Sequence, residues 1–272
     1  MKDIKIKGAT IPALGFGTFQ LDSEAANHMV KAALNEGYRH IDTAQMYKNE
    51  ESVGKAIRES GVPRSDVFLT TKVMPGNLSK KDFLPSVEES LQKLGSEYVD
   101  LLLIHWPNAE VPVEEYMGEL VKAQEKGYTK YIGVSNHTTA LLDKVLATGA
   151  DIITDQVEYH PFINQDKLHH YLLEHDLSLT AYSPIAQGKV MGNSTLKSIG
   201  DKYNKNEIQV TLRWLIQQEA VLAIPRSSKE QHMKSNFNIF DFELTPDEMQ
   251  QIDALKQENK RLINPSWAPE WD

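Results

Sequence analysis

Apolar residues recur along this chain in two periods that alternate from end to end. Short runs rich in Val, Ile and Leu are separated by longer stretches in which apolar positions return every third or fourth residue, the marks of buried strands and amphipathic helices. Residues 2–12 differ. They alternate apolar and polar around Lys7-Gly8 and predict a small hairpin. Strand-like runs fall at 14–18, 40–42, 67–72, 99–104, 131–134, 152–157, 179–181 and 221–224. Helical periodicity covers 23–36, 50–60, 82–94, 113–126, 139–147, 165–175, 196–203, 207–218, 229–237 and 245–257. Punctuation agrees with this division. Ser23 stands where a cap is needed, and Gly37 and Gly127 follow helices. Pro85 sits within a first turn, and Thr245-Pro246-Asp247-Glu248 has the form of a capping box. Gly15-Phe16-Gly17 reads as a strand ending in a glycine-loosened turn.

Eight apolar, β-branched strands separated by helices imply a parallel sheet covered on both faces. Right-handed crossovers and eight repeats favour a closed (β/α)8 TIM barrel with an N-terminal β-hairpin, and an open doubly wound sheet is the alternative. No Gly-x-Gly-x-x-Gly follows a strand and opens a helix, which argues against a Rossmann domain. No linker or low-complexity stretch divides residues 1–272, so a single domain is expected.

Composition narrows the function classes. The formal net charge of -9 disfavours nucleic acid, whose phosphates need clustered cations. With no cysteine, neither disulfides nor thiolate chemistry is available. Met1-Lys2-Asp3-Ile4 has no apolar h-region, and no apolar run approaches a membrane span. A cytoplasmic protein with no membrane partner is expected. No dimerisation segment stands out, so a monomer is expected.

Three strands end in ionisable groups. His40-Ile41-Asp42-Thr43-Ala44-Gln45-Met46-Tyr47 carries a carboxylate and a phenol about one helical turn apart, the run to 72 ends in Lys72, and the run to 104 is followed by His105. A phenol with an ordinary pKa of about 10 is a poor acid at neutral pH. An ammonium beside it would lower that value, and a carboxylate would hold the ammonium. An imidazole could orient a carbonyl oxygen. Asp42, Tyr47, Lys72 and His105 thus make a proton donor poised over a carbonyl. The attacking group is missing from the chain, and a hydride from a bound cofactor would supply it. Each residue alone has a plainer reading: a loop cap for Asp42, a solvated rim charge for Lys72, a packing aromatic for Tyr47, a core histidine for His105.

The motifs Gly15-Phe16-Gly17-Thr18, Ile41-Asp42-Thr43-Ala44 with Tyr47 and Asn49-Glu50, Thr71-Lys72 and Leu103-Ile104-His105-Trp106-Pro107 occur in this order. So do Ile132-Gly133-Val134-Ser135-Asn136, Gln156-Val157-Glu158, Ala181-Tyr182-Ser183-Pro184 and Ile224-Pro225-Arg226-Ser227. Over nearly its whole length the chain resembles an aldo-keto reductase. The ending, Arg261-Leu262-Ile263-Asn264-Pro265 through Ala268-Pro269-Glu270-Trp271-Asp272, is most similar to a bacterial branch of that family.

The resemblance implies a barrel that binds NADPH across its C-terminal rim and reduces aldehydes and ketones. Small dicarbonyls such as methylglyoxal and sugar-derived keto acids such as 2,5-diketo-D-gluconate are the implied substrates. Tyr47 would be the proton donor, Lys72 would lower its pKa, Asp42 would hold Lys72, and His105 would orient the carbonyl. Ser135, Asn136 and Gln156 match positions that hold the nicotinamide carboxamide, and Tyr182 the aromatic stacked on its ring. Ser183, Ile185 and Gln187 match the pyrophosphate loop, and Thr18 and Ser227 lie in motifs lining the cofactor. At the adenosine end the pattern departs. Arg226 stands where lysine is usual, His232 where arginine is usual, and Ser235 where an acid is common, while Asn236 is retained. One fixed cation fewer implies NADPH preference with NADH as a weaker alternative.

Phe19 and Met74 replace bulky tryptophans of the substrate site, with Met46 and Trp106 as its other walls. Trp267 and Trp271 either close one side or pack on outer helices. Two other functions compete: a non-catalytic NADP(H)-binding redox-sensing module on the same fold, and a metal-dependent barrel hydrolase. An intact tetrad argues against the first. The placement of His169, His170 and His175 on one predicted outer helix argues against the second.

Overall fold

The computed structural model describes residues 2–272. The hairpin pairs β1 (Asp3–Ile6) with β2 (Ala9–Pro12) antiparallel, Ile6 opposite Ala9, so the loop is Lys7-Gly8. Both loop residues have positive φ, 42° and 82°. A two-residue turn needs that twist to match its strands.

One eight-stranded parallel sheet follows, its spatial order the order in sequence. It contains β3 (Phe16–Gly17), β4 (His40–Asp42), β5 (Phe68–Val73), β6 (Val99–Ile104), β7 (Thr129–Ser135), β8 (Ile152–Glu158), β9 (Ser178–Tyr182) and β10 (Val221–Ala223). The sheet closes on itself. Gly15 N donates to Ala223 O at 2.8 Å, Ala223 N to Ala13 O at 2.8 Å, and Gly17 N to Pro225 O at 3.0 Å. Around it run α1 (Ser23–Glu36), α2 (Glu50–Glu59), α3 (Phe83–Leu94), α4 (Val113–Glu125), α5 (Thr139–Ala147), α6 (Asp166–Glu174), α7 (Ser194–Tyr203), α8 (Glu207–Gln217), α9 (Glu230–Phe237) and α10 (Pro246–Asp253). This is the (β/α)8 barrel with its hairpin. Every residue of β4, β5, β6, β8 and β10 is buried. That explains why these strands read as continuous apolar runs rather than alternating ones.

Three local expectations change. The cap of α1 is Asp22, whose carboxylate accepts from Ala25 N at 2.9 Å, and Ser23 is the first helical residue. Gly15 and Gly17 serve close approach rather than a loose turn. A Cβ would lie 2.8 Å from His40 Nδ1 at the first and 2.8 Å from Ile224 O at the second. The last helix stops at Asp253 and runs on as a 3₁₀ turn over Ala254–Glu258, although its capping box, Thr245 with Glu248, forms as predicted. Other ends differ by a few residues, where helices and strands fray.

All eight strands of the sheet point the same way, so their carboxyl ends share one rim. Asp42, Lys72, His105, Ser135, Gln156 and Tyr182 all lie at or just beyond those ends.

Candidate active site

Beyond Asp42 the chain leaves the barrel and makes a 3₁₀ turn over Gln45–Tyr47. Two neutral amides pin it. Gln45 Nε2 donates to Ser86 O at 3.1 Å and Ser90 Oγ at 3.2 Å, while its Oε1 accepts from Met74 N and Asn77 Nδ2, each at 3.0 Å. Asn49 Nδ2 donates to Thr18 O at 2.9 Å and Leu21 O at 3.0 Å, and its Oδ1 accepts from Thr43 Oγ1 at 2.8 Å. The sequence assigns neither residue a task. Both lie inside the motif around Tyr47, but an amide's partners are set by the fold.

Lys72 is wholly buried on β5. Its Nζ donates to Asp42 Oδ1 at 2.5 Å, Thr43 O at 2.8 Å and Tyr47 Oη at 3.3 Å. Those bonds use all three ammonium protons. Asp42 Oδ2 accepts from Gln156 Nε2 at 2.9 Å. The His105 ring stands edge-on to the Tyr47 ring, centroids 5.5 Å apart. The structure therefore brings Asp42, Tyr47, Lys72 and His105 together.

Their proton affinities follow from burial. Tyr47 is half-buried as a residue, but its hydroxyl faces the sealed ammonium. Burial holds the phenol well above its ordinary range, and Asp42 pushes the same way. The lowering expected from Lys72 does not outweigh this burial. Burial pulls Lys72 itself down, against Asp42, which raises it. Burial, then the Lys72 charge, holds His105 well below its ordinary value, so the imidazole is neutral. Its Nδ1 is buried without a partner among the described residues. A proton there would be a buried donor facing no acceptor, so we place it on Nε2.

The predicted nicotinamide-end residues form one network with this group. Ser135 Oγ donates to Gln156 O at 2.7 Å, Asn136 Nδ2 to His105 O at 3.0 Å, and Tyr182 Oη to Asn136 Oδ1 at 2.7 Å. Asn136 adopts φ 62°, a left-handed backbone that asparagine tolerates better than most residues. In the loop after β9, Ser183 and Gln187 also have positive φ, 47° and 56°, and Ile185 is half-buried.

The residues expected at an adenosine end gather separately, near β10 and α9. Arg226 is exposed and reaches Phe19 O at 3.2 Å and Gln20 Oε1 at 2.8 Å. His232 is exposed and Asn236 buried on α9. Two hydroxyls are engaged internally: Thr18 donates to Asp42 O at 2.9 Å, and Ser227 to Lys229 O at 2.8 Å.

Phe19 tilts against Tyr47 with ring centroids 5.1 Å apart. Met74 is half-buried just past β5. Trp267 and Trp271 pack edge-on against buried Trp106, at 5.1 and 6.0 Å. The open alternative thus resolves in favour of a wall at the rim. Glu158 clamps that segment: its carboxylate accepts from Leu262 N at 2.6 Å, Ile263 N at 2.7 Å and His160 Nε2 at 2.9 Å. Phe19, Met46 and Trp267, expected to line a substrate site, remain 49%, 41% and 52% exposed.

His137, beside Asn136, is fully buried and bonded to Tyr116 Oη at 3.0 Å. Burial pulls its pKa down to about 4. The unfolded chain, near the ordinary value of about 6.5, binds the proton first, so folding stability falls as pH drops between those values. His137→Gln will remove that dependence. Thermal melts at pH 7 and 4.5 should show wild type losing about 2–3 kcal/mol relative to the variant, a difference to which carboxylates titrating alike in both proteins do not contribute. Parallel melting curves at both pH values would refute it.

A sequence model of the aldo/keto reductase family matches residues 13–257. Methylglyoxal reductase DkgB of Escherichia coli O157:H7 is 44% identical over 267 residues, covering 96% of this chain and 99% of that protein. Glyoxal reductase of Bacillus subtilis strain 168 is 40% identical over 261 residues, covering 95% and 94%. A solved structure provisionally assigned as a 2,5-diketo-D-gluconic acid reductase B superposes with a TM-score of 0.98 at 44% identity, covering 100% of this chain and 98% of that one.

Proposed function

This chain belongs to the aldo/keto reductase family, and from that premise we propose that it reduces aldehydes and ketones to alcohols with NADPH. Small dicarbonyls such as methylglyoxal and sugar-derived keto acids such as 2,5-diketo-D-gluconate are its substrates. The names of its relatives support that substrate class. The observation that carries the reading is the Tyr47 hydroxyl, bonded to a sealed Lys72–Asp42 pair beside a neutral His105.

The donor set suits a dinucleotide. Ser135, Asn136 and Gln156 bring a hydroxyl and two amides into one network with the Tyr182 hydroxyl, and Arg226 holds an exposed guanidinium on Phe19 O and Gln20 Oε1 near β10. Ser135, Asn136, Gln156 and Tyr182 would hold the nicotinamide end, the 183–187 loop the pyrophosphate, and Arg226 the adenosine phosphate. Bound NADPH supplies a hydride.

The chain's own residues do the rest. His105 Nε2–H donates to the carbonyl oxygen and orients it. Tyr47 keeps its hydroxyl proton through the neutral range, since burial raises its pKa, and gives it to that oxygen as negative charge develops there. The phenolate left behind lies beside the Lys72 ammonium, which favours it most at that moment. Asp42 keeps Lys72 charged and fixed. Trp106, with Trp267 and Trp271, walls one side. No helix among the described residues is long and apolar enough to cross a membrane, and we place the enzyme in the cytoplasm as a monomer.

Following NADPH absorbance with methylglyoxal, a 2,5-diketo sugar acid and an aromatic aldehyde tests the reading. Tight cofactor binding without turnover of any of them would overturn it. Arg226→Ala should lower kcat/KM with NADPH by about 10- to 100-fold, the weight of a charge-assisted bond to phosphate, and bring NADPH and NADH within a few-fold of each other. An unchanged preference would remove Arg226 as the discriminator.

A further inference from the structure

Among the described residues, Arg261 is a cation without an anion in a salt bridge. Its guanidinium lies over the Trp271 ring, Cζ 3.6 Å from the centroid, and its Nη1 is buried with no hydrogen-bond partner. Two carboxylates lie close enough to favour its charge, Glu158 and Asp272, yet both are committed elsewhere. Glu158 accepts from two backbone amides and His160. Asp272 accepts from Thr139 N at 2.9 Å, Thr139 Oγ1 at 2.6 Å and Lys167 Nζ at 3.0 Å. Among the described residues, neither forms an ion pair with Arg261.

A half-buried guanidinium left unpaired is costly, whereas a planar fork held on an aromatic face is preorganised for a carboxylate. Its position points to the substrate. Trp271 packs on Trp106, which directly follows His105, and the Arg261 charge also reaches the Tyr182 phenol. Arg261 therefore stands on the Trp106 side of the tetrad, apart from Arg226, which binds the Phe19-Gln20 loop.

We propose that Arg261 is the anion-recognising residue of the substrate site, binding the carboxylate of carbonyl compounds that also carry an acid group. Keto acids and aldehyde acids are thereby favoured over neutral carbonyls of similar size. This rests on the reading of the chain as a carbonyl reductase. It adds a residue that selects within that substrate class.

The test compares 4-formylbenzoate with its methyl ester, which differ chiefly in charge. Arg261→Met should lower the acid-to-ester ratio of kcat/KM by about tenfold or more, through KM for the acid, as loss of one charge-assisted bond predicts. Arg261→Lys should restore part of the ratio, keeping the charge but losing the fork. An unchanged ratio overturns the proposal, as does an equal fall for acid and ester. A matching loss of NADP+ affinity, read by fluorescence quenching, also overturns it, since Arg261 would then serve the cofactor.

Binding of 4-formylbenzoate to the NADP+-loaded protein, followed by tryptophan fluorescence, separates this inference from the functional reading. If wild type reduces neither compound but binds the acid in an Arg261-dependent way, the anion site stands and the reductase reading fails. If it neither reduces nor binds the acid, both fail.

Discussion

Tyr47→Phe will lower kcat for carbonyl reduction by about 10³-fold, within the 10² to 10⁴ that a positioned general acid contributes. The substitution removes one oxygen and leaves the ring, so its packing against Phe19 and His105 persists. Among the described residues, no other hydroxyl is bonded to Lys72 Nζ. His105 cannot take over as acid, because burial and the Lys72 charge keep it neutral. The loss should appear in kcat rather than in cofactor affinity, since the phenol belongs to no bond that Ser135, Asn136, Gln156 or Tyr182 makes. Absorbance of NADPH gives the rate, and fluorescence quenching gives the affinity. A variant retaining a tenth of wild-type kcat would show that the proton comes from elsewhere.

Asp42→Ala should be the most destabilising single change at the site. It leaves the Lys72 ammonium sealed in the barrel without its carboxylate, and breaking a buried pair in this way costs about 3–5 kcal/mol. It also strands Gln156 Nε2, whose acceptor is the second Asp42 oxygen. Denaturant titration will register the loss, and a change under 1 kcal/mol would show that the pair is not held as the structure has it.

Asp42→Asn separates charge from packing. Lys72 already has a pKa lowered by burial, and Asp42 is the largest influence raising it. Without the carboxylate, folded Lys72 gives up its proton at lower pH still. The unfolded chain then binds more protons across the window up to about 10.4, so the variant's stability rises with pH there more steeply than wild type's. Its kcat should fall as well, because a neutral amine cannot favour a phenolate. Equal pH slopes in the two proteins would mean that Lys72 is neutral in wild type too.

Much of this molecule is written locally. The period of apolar positions gives the alternation of strands and helices, because each periodicity is a property of neighbouring residues. The strand ends and family motifs pick out Asp42, Tyr47, Lys72 and His105 by themselves, since their chemical types and places in the order suffice. Lys7-Gly8 and the Thr245–Glu248 capping box were equally legible, being contacts between residues at most three apart.

What the chain alone could not decide was who meets whom across the barrel. Gln156, on β8, is bonded to Asp42, 114 residues earlier, and Glu158 holds Leu262 and Ile263. Thr18 turns its hydroxyl to Asp42 O, and Gly15 and Gly17 answer to His40 and Ile224 rather than to a turn. The Tyr47 phenol is raised rather than lowered because burial, and then Asp42, disfavour the phenolate. Residue types and spacing determine which groups the chain possesses. Burial and partnership, which set protonation and leave Arg261 unpaired, exist only once closure of the sheet brings distant strand ends to one rim.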